Sequence, residues 1–140
     1  MAGYSATPLA KKLGIKPDHR LAVLDAPDGF AIPDLPATVT ARTSARGTFD
    51  VILSFHTSCA AMTKRLPTLM RALHVDGGLW ISWPKQSSGV PTDVTEDTIR
   101  EVALPTGLVD VKVCAVDETW SGLRLCLRKE LRTGRSTAAG

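Results

Sequence analysis

The hydrophobic positions of this chain fall into short runs separated by turn residues, and two of the runs are apolar on both sides. FDVILSF (49–55) is apolar at nearly every position after Asp50, and LWISW (79–83) sets two tryptophans beside Leu79 and Ile81. A run without a polar face needs cover above and below, which is the setting of a central parallel strand. RLAVLDAP, from Arg20, is a shorter apolar run that ends in turn residues and predicts a third strand. TVTAR (38–42) alternates weakly and predicts a short edge strand. Near the C-terminal end, Val109, Val111, Val113 and Ala115 alternate with Asp110, Lys112 and Cys114, the pattern of a half-buried strand. After Gly122, Leu123, Leu125 and Leu127 alternate with Arg124, Cys126 and Arg128 and predict its antiparallel partner. If the turn between the two centres near Trp120, Cys114 and Cys126 face each other across the pair.

Helical spacing appears between these runs. Met62, Leu66, Leu69, Met70 and Leu73 recur on one face, Thr57 or Ser58 can cap that helix, and Pro67 inside it predicts a kink or a split. Thr7 followed by Pro8 predicts a short helix, capped by Thr7, that ends before Gly14. Asp93 with Glu96 three residues on resembles a capping box for a helix running to about Leu104. The Gly/Pro-rich stretch 28–37 reads as irregular, and 74–78 as a turn into LWISW. Strands alternating with helices predict an α/β fold: a three-layer, Rossmann-like sheet, mostly parallel, with an antiparallel C-terminal strand. The expected boundaries are a single domain over 1–132 and a disordered tail over 133–140.

Parallel strands joined by right-handed crossovers all open at one edge of the sheet, where ligands bind. That polarity explains why LWISW gives way at once to PKQSSG (84–89): the chain leaves a covered sheet there. Four strand ends would bring together Asp25 and Asp28; His56, Thr57 and Ser58; Lys85, Ser87 and Ser88; and Asp117, Glu118 and Trp120. Each has a chemical and a structural reading. His56 is either a base, or anion ligand at a helix start, or a histidine bonded to a neighbouring loop. Lys85 either holds a phosphate or carboxylate, or becomes a nucleophile if desolvated, or is a surface lysine. Ser87-Ser88-Gly89 offers N–H groups to an anion or is a flexible loop. Asp117 and Glu118 form an acid/base pair or weak metal site, or they satisfy turn amides while Trp120 caps the core.

Composition narrows the classes. The chain has 140 residues, 44% of them hydrophobic and 22% charged, with a net charge of +3, which fits one soluble globular domain. Lysines and arginines gather at the two ends without interleaved aromatics, so no nucleic-acid partner is expected. Three cysteines with no Cys-x-x-Cys give neither a disulfide framework nor a zinc site and fit a reducing cytoplasm. No signal-peptide core and no membrane-length apolar run is present, so a cytoplasmic protein without a membrane partner is expected. No nucleophile elbow, phosphate loop or His/Glu zinc signature appears, which argues against the common hydrolases and nucleoside triphosphatases.

Two resemblances follow. AGYS-TPLAKKLGIK near the start, GLWISWPK, SGV-TD and REVALPTGLVDVKVCAVDETWSGL together resemble the domain-of-unknown-function 3052 family of small actinobacterial proteins over nearly the whole chain. That likeness implies no activity. KKLGIKPDHRLAVLDAPDGF resembles the opening segment of a class I methyltransferase, in which a helix, a strand and a Gly-rich loop hold S-adenosylmethionine. The resemblance implies glycines after the first strand and an acid at the end of the second. Here those places hold Asp25-Ala26-Pro27-Asp28-Gly29 and Arg42, and too little chain lies between Asp25 and Phe49 for two crossover helices. The expectation is a non-catalytic ligand-binding or protein-interaction module without cofactor or metal. Its partner would be a small anionic ligand or another protein, and a homo-oligomer is compatible with this. The alternatives are a small enzyme acting on an anionic metabolite at the strand ends and, behind it, a divergent S-adenosylmethionine-dependent methyltransferase.

Overall fold

The two all-apolar runs lie where a doubly covered strand must lie, in the middle. A computed structural model describes residues 7–132. Its strands are β1 (Leu21–Leu24), β2 (Ala41–Arg42), β3 (Phe49–Phe55), β4 (Leu73–Pro84), β5 (Leu108–Ala115) and β6 (Trp120–Leu127). They form one sheet in the order β2-β1-β3-β4-β6-β5. β1 is parallel to both β2 and β3, and β3 is parallel to β4, with Leu53 opposite Trp80. β6 is antiparallel to both of its neighbours, so β5 runs with the parallel set. The mixed, mostly parallel α/β sheet is the one the hydrophobic pattern predicts. The tail expected over 133–140 lies outside the described residues.

One face carries Ile52, Leu79, Ile81 and Trp83 and is covered by helices α2 (Cys59–Ala72) and α3 (Glu96–Ala103), through Met62, Leu66, Leu69 and Ile99. The other carries Val51, Leu53, Phe55 and Trp80. Its cover is the single-turn helix α1 (Leu9–Lys12) with Leu13, loop residues Phe30, Ile32 and Leu35, and Val116 with Trp120. Trp80 is fully buried, and its indole N–H donates to the Leu13 carbonyl at 3.0 Å, pinning the end of α1 to the sheet. Among the described residues, no helix joins β1 to β2 or β2 to β3; the spacing from Asp25 to Phe49 rules out two crossover helices, and the chain forms neither.

Several local expectations need correction. α1 starts at Leu9, with Pro8 in the cap position because its ψ of 149° is extended, and proline has no side-chain acceptor with which to cap the helix. α2 is capped by Ser58 and stays one helix through Pro67, whose missing N–H is tolerated on an exposed position. The capping box of α3 is Thr95 with Thr98, not Asp93 with Glu96. Asp93 turns the other way and accepts from the Cys59 N–H at 2.7 Å, closing the start of α2. β4 begins at Leu73, which pairs with Phe49; residues 74–77 then loop out, and pairing resumes at Gly78 opposite Val51.

The valine alternation of β5 does not bury one face. A β-bulge between Asp110 and Lys112 shifts its phase: Asp110 and Val113 both pair with leucines of the α2/α3 face, Leu125 and Leu123. Val111 and Val113 are left 50% and 43% exposed. Cys114 pairs with Gly122 and Cys126 with Val109, so the two thiols do not meet across the hairpin.

Close approach dictates one glycine. A Cβ on Gly77 would stand 2.7 Å from the Asp50 carbonyl oxygen, inside van der Waals contact with backbone. Gly77→Ala is expected to lower unfolding free energy by about 1–3 kcal/mol, the usual cost of overpacking a site that cannot yield. Urea denaturation of the two proteins measures it, and an unchanged midpoint would show that the 74–77 loop moves freely.

Candidate functional site

The crevice between the C-terminal ends of β1 and β3 is the point where the strand order reverses, the place where open α/β sheets take their ligands. Asp25 follows β1 directly. It adopts a left-handed backbone, φ 59°, a conformation Asp tolerates better than most residues. Its carboxylate is exposed, and its nearest charged partner is Arg65 of α2, at 4.0 Å. Both side chains of that pair are open to solvent, so water screens it and the pair holds Asp25 only loosely.

His56, the residue after β3, is buried at 7% exposure, with ring Nε2 2.7 Å from the Ser54 hydroxyl. Its backbone N–H donates to the Ser82 carbonyl across the sheet. Burial pushes the imidazole pKa below its ordinary 6.5; Asp25 pulls it up and Arg65 adds to the lowering. Thr57 lends its carbonyl to the Thr92 hydroxyl, and Ser58 spends its hydroxyl on the Ala61 N–H.

The other half of the rim is knitted together. Lys85 donates its ammonium to the Asp117 carbonyl at 2.8 Å and its backbone N–H to the Thr119 carbonyl. The Asp117 carboxylate accepts from the N–H groups of Thr119 and Trp120, each at 2.8 Å, and so holds the turn between β5 and β6. Ser88 donates its hydroxyl to the Lys85 carbonyl, while Ser87 and Glu118 are exposed. Trp120 is buried edge-on against Phe55, 5.0 Å between ring centres, and Phe55 in turn meets Phe30 at 4.9 Å. The structure therefore brings Asp25 and His56 together around Arg65, and Lys85, Ser88, Asp117 and Trp120 together in a second group. The Phe30–Phe55–Trp120 stack connects the two. Asp28 is exposed on the loop after β1.

A cleft of about 350 Å³ opens beneath that loop, lined by Val23, Asp25, Ala26, Phe30, Ile32 and Ala41 among others. It is bordered by the helix-free connection between β1 and β2. A larger cleft of about 450 Å³ lies between Trp83, Lys85 and Thr92–Glu96. Four of its polar residues are already engaged: Lys85 by Asp117, Glu96 by Arg100, Thr92 by Thr57 and Thr95 by the α3 cap. Among the described residues, no three His, Cys, Asp or Glu side chains gather closely enough to hold a metal ion. None of the helices described is long and apolar enough to cross a membrane.

Sequence reasoning missed Arg65 and the cleft lining. Arg65 had a signal: spaced three from Met62 and four from Leu69, it puts a charge on the buried stripe of α2. Phe30 and Ile32 had a weaker one, as isolated apolar residues in a turn-rich stretch.

Comparison with known proteins places the fold. No protein-family profile matches the chain, and no curated protein matches it in sequence. Solved structures do match. A SAM-dependent methyltransferase from Aquifex aeolicus superposes with a TM-score of 0.62 at 14% identity, over 86% of this chain and 88% of that one. A ribosomal protein L11 methylase from Lactobacillus delbrueckii subsp. bulgaricus gives 0.54 at 13% identity, over 86% and 75%. The magnesium protoporphyrin IX methyltransferase of Synechocystis PCC 6803, with bound SAM, gives 0.55 at 10% identity, over 86% and 74%. The chain has a methyltransferase-like Rossmann fold; at these identities the likeness speaks for architecture alone.

The residues present do not fit S-adenosylmethionine as the fold's usual loop would. Pro27 has no N–H, the Phe30 N–H is spent on the Pro27 carbonyl at 3.0 Å, and no helix follows to direct further N–H groups at a ligand. β2 ends at Arg42, where the methyltransferase pattern has an acid.

Two outcomes test this description. His56 gives a sign to the pH dependence. Below the ordinary 6.5 the unfolded chain takes up a proton that the buried imidazole refuses, so the unfolded state binds more protons and stability falls with falling pH. Stability measured by denaturation should therefore drop between about pH 7 and pH 5.5, and His56→Asn should drop less over that window. Equal slopes in the two proteins would show that His56 titrates normally. Asp117→Ala should cost about 1–3 kcal/mol in the same assay, because two turn N–H groups lose their acceptor. A neutral result would mean that water replaces the carboxylate.

Proposed function

We propose that this chain is a non-catalytic ligand-binding module on a methyltransferase-like fold, taking a small molecule in the cleft beneath the loop after β1. The observation that carries the reading is the turn at 25–30: Pro27 closes it on itself, and the helix that should follow is replaced by loop and cleft. The candidate catalytic groups support the same reading. Lys85 is hydrogen-bonded to the Asp117 carbonyl and His56 to Ser54, so neither is free to meet a substrate without giving up a partner. Membership of the domain-of-unknown-function 3052 family and a cytoplasmic setting belong to this proposal and rest on the residue blocks and the cysteine usage.

The second reading is S-adenosylmethionine-dependent methyl transfer, favoured by the solved structures that share the fold. Titration calorimetry with S-adenosylmethionine and S-adenosylhomocysteine separates the two. The module reading expects no binding heat and no change in melting temperature. Tight binding would stabilise the protein by about 2.7 kcal/mol at a hundredfold excess over Kd. Such a shift would make the cofactor site real and overturn the non-catalytic reading.

A further inference from the structure

The cleft beneath the loop after β1 has an asymmetric chemistry that names its ligand. Its walls are apolar: Val23 of β1, Ala41 of β2, and Ala26, Phe30 and Ile32 of the loop. Among the described residues that line it, Asp25 is the one that carries a charge, a carboxylate. Among the described residues that carboxylate accepts no hydrogen bond, and Arg65 stands 4.0 Å away in solvent-screened contact. Phe30 lines the same cleft. An acidic and an aromatic residue in one apolar cleft are the pairing that suits an organic ammonium, by a charge-assisted hydrogen bond and by attraction to the ring face. An anion would meet the Asp25 charge with no cation among the described lining residues; Arg65 lies beside Asp25 but outside the lining.

We infer, on the basis of the ligand-binding reading above, that the cleft takes an aromatic or aliphatic primary amine. The apolar body would lie between Val23, Phe30 and Ala41, with the ammonium on Asp25. The side chain of Thr43, which also borders the cleft, supplies a hydroxyl for a second polar group on such a ligand. The space exists because the β1-to-β2 connection carries no helix, so it belongs to this chain's shortened crossover.

Three indoles of one shape and different charge make the test: tryptamine, tryptophol and indole-3-acetate, each titrated into 15N-labelled protein. Tryptamine is expected to shift the amide signals of 26–32 and to bind at least about tenfold more tightly than the other two, as a charge-assisted bond implies. Asp25→Asn keeps a side chain that tolerates the left-handed backbone and should remove that preference while leaving the melting temperature near its starting value. Ala41→Phe, on an exposed edge strand, should fill the mouth and abolish binding altogether. Equal binding of all three indoles, or tryptamine binding unchanged in Asp25→Asn, overturns the amine assignment while the ligand-binding reading stands. If none of the three shifts 26–32 in the wild-type protein, the cleft is no site for this class, and the ligand-binding reading loses its location as well.

Discussion

β3 and β4 have no polar face, and the rest of the molecule is arranged to keep water off both sides of them. Ile52, Leu53, Leu79, Trp80 and Ile81 are all almost fully buried, and at about 1.5–3 kcal/mol for each large apolar side chain no other group of contacts is comparable. Helices α2 and α3 cover one side in the ordinary way. On the other side the chain from 25 to 40 forms no helix, so α1, a loop and the β5–β6 turn share the work. Phe30, Ile32 and Leu35 bend inward for that reason. A loop covers a surface less completely than a helix does, because its apolar residues do not recur on one face. The cleft beneath it is what remains.

Strand polarity then decides which polar groups meet. Because β1, β3, β4 and β5 run the same way, their trailing residues share one rim, and the Lys85 contacts with Asp117 and Thr119 close it on one side. The rim is unequal in its hydrogen bonding. Around Lys85 each donor faces a backbone carbonyl, and the carboxylate of Asp117 faces two amides. Around Asp25 the carboxylate lacks such partners, and the helix residue beside it, Arg65, stands 4.0 Å away.

The mostly parallel sheet and its opening edge were legible because they follow from long, unambiguous signals: two runs with no polar face and one helix with apolar residues in register, although the last of the five, Leu73, falls in β4. The failures are all failures of phase or partner. β5 was read from its alternation, but a single bulged residue at Val111 shifts the phase of the strand, and nothing in VDVKV announces a bulge. The α3 cap was assigned to Asp93 because Asp93 and Glu96 have the right spacing; Thr95 and Thr98 have it too, and Asp93 was claimed by α2, 34 residues away. The site splits along the same line. That Asp25, His56, Lys85 and Asp117 would lie on one edge could be read from topology. Which of them the protein itself would occupy could not, since a carbonyl acceptor such as that of Asp117 has no signature in sequence.

The closed turn and the cleft are one event seen from two sides. In a doubly wound sheet the turn after the first strand leads straight into a helix, and the free N–H groups of that helix make the anion-binding cradle. Removing the helix removes the cradle and, in the same step, vacates the volume the helix filled. What the rim presents changes with it: in place of a row of helix N–H donors stand an acidic residue, Asp25, and an apolar lining. A shortened crossover accounts for that exchange without any change in the strands that carry it.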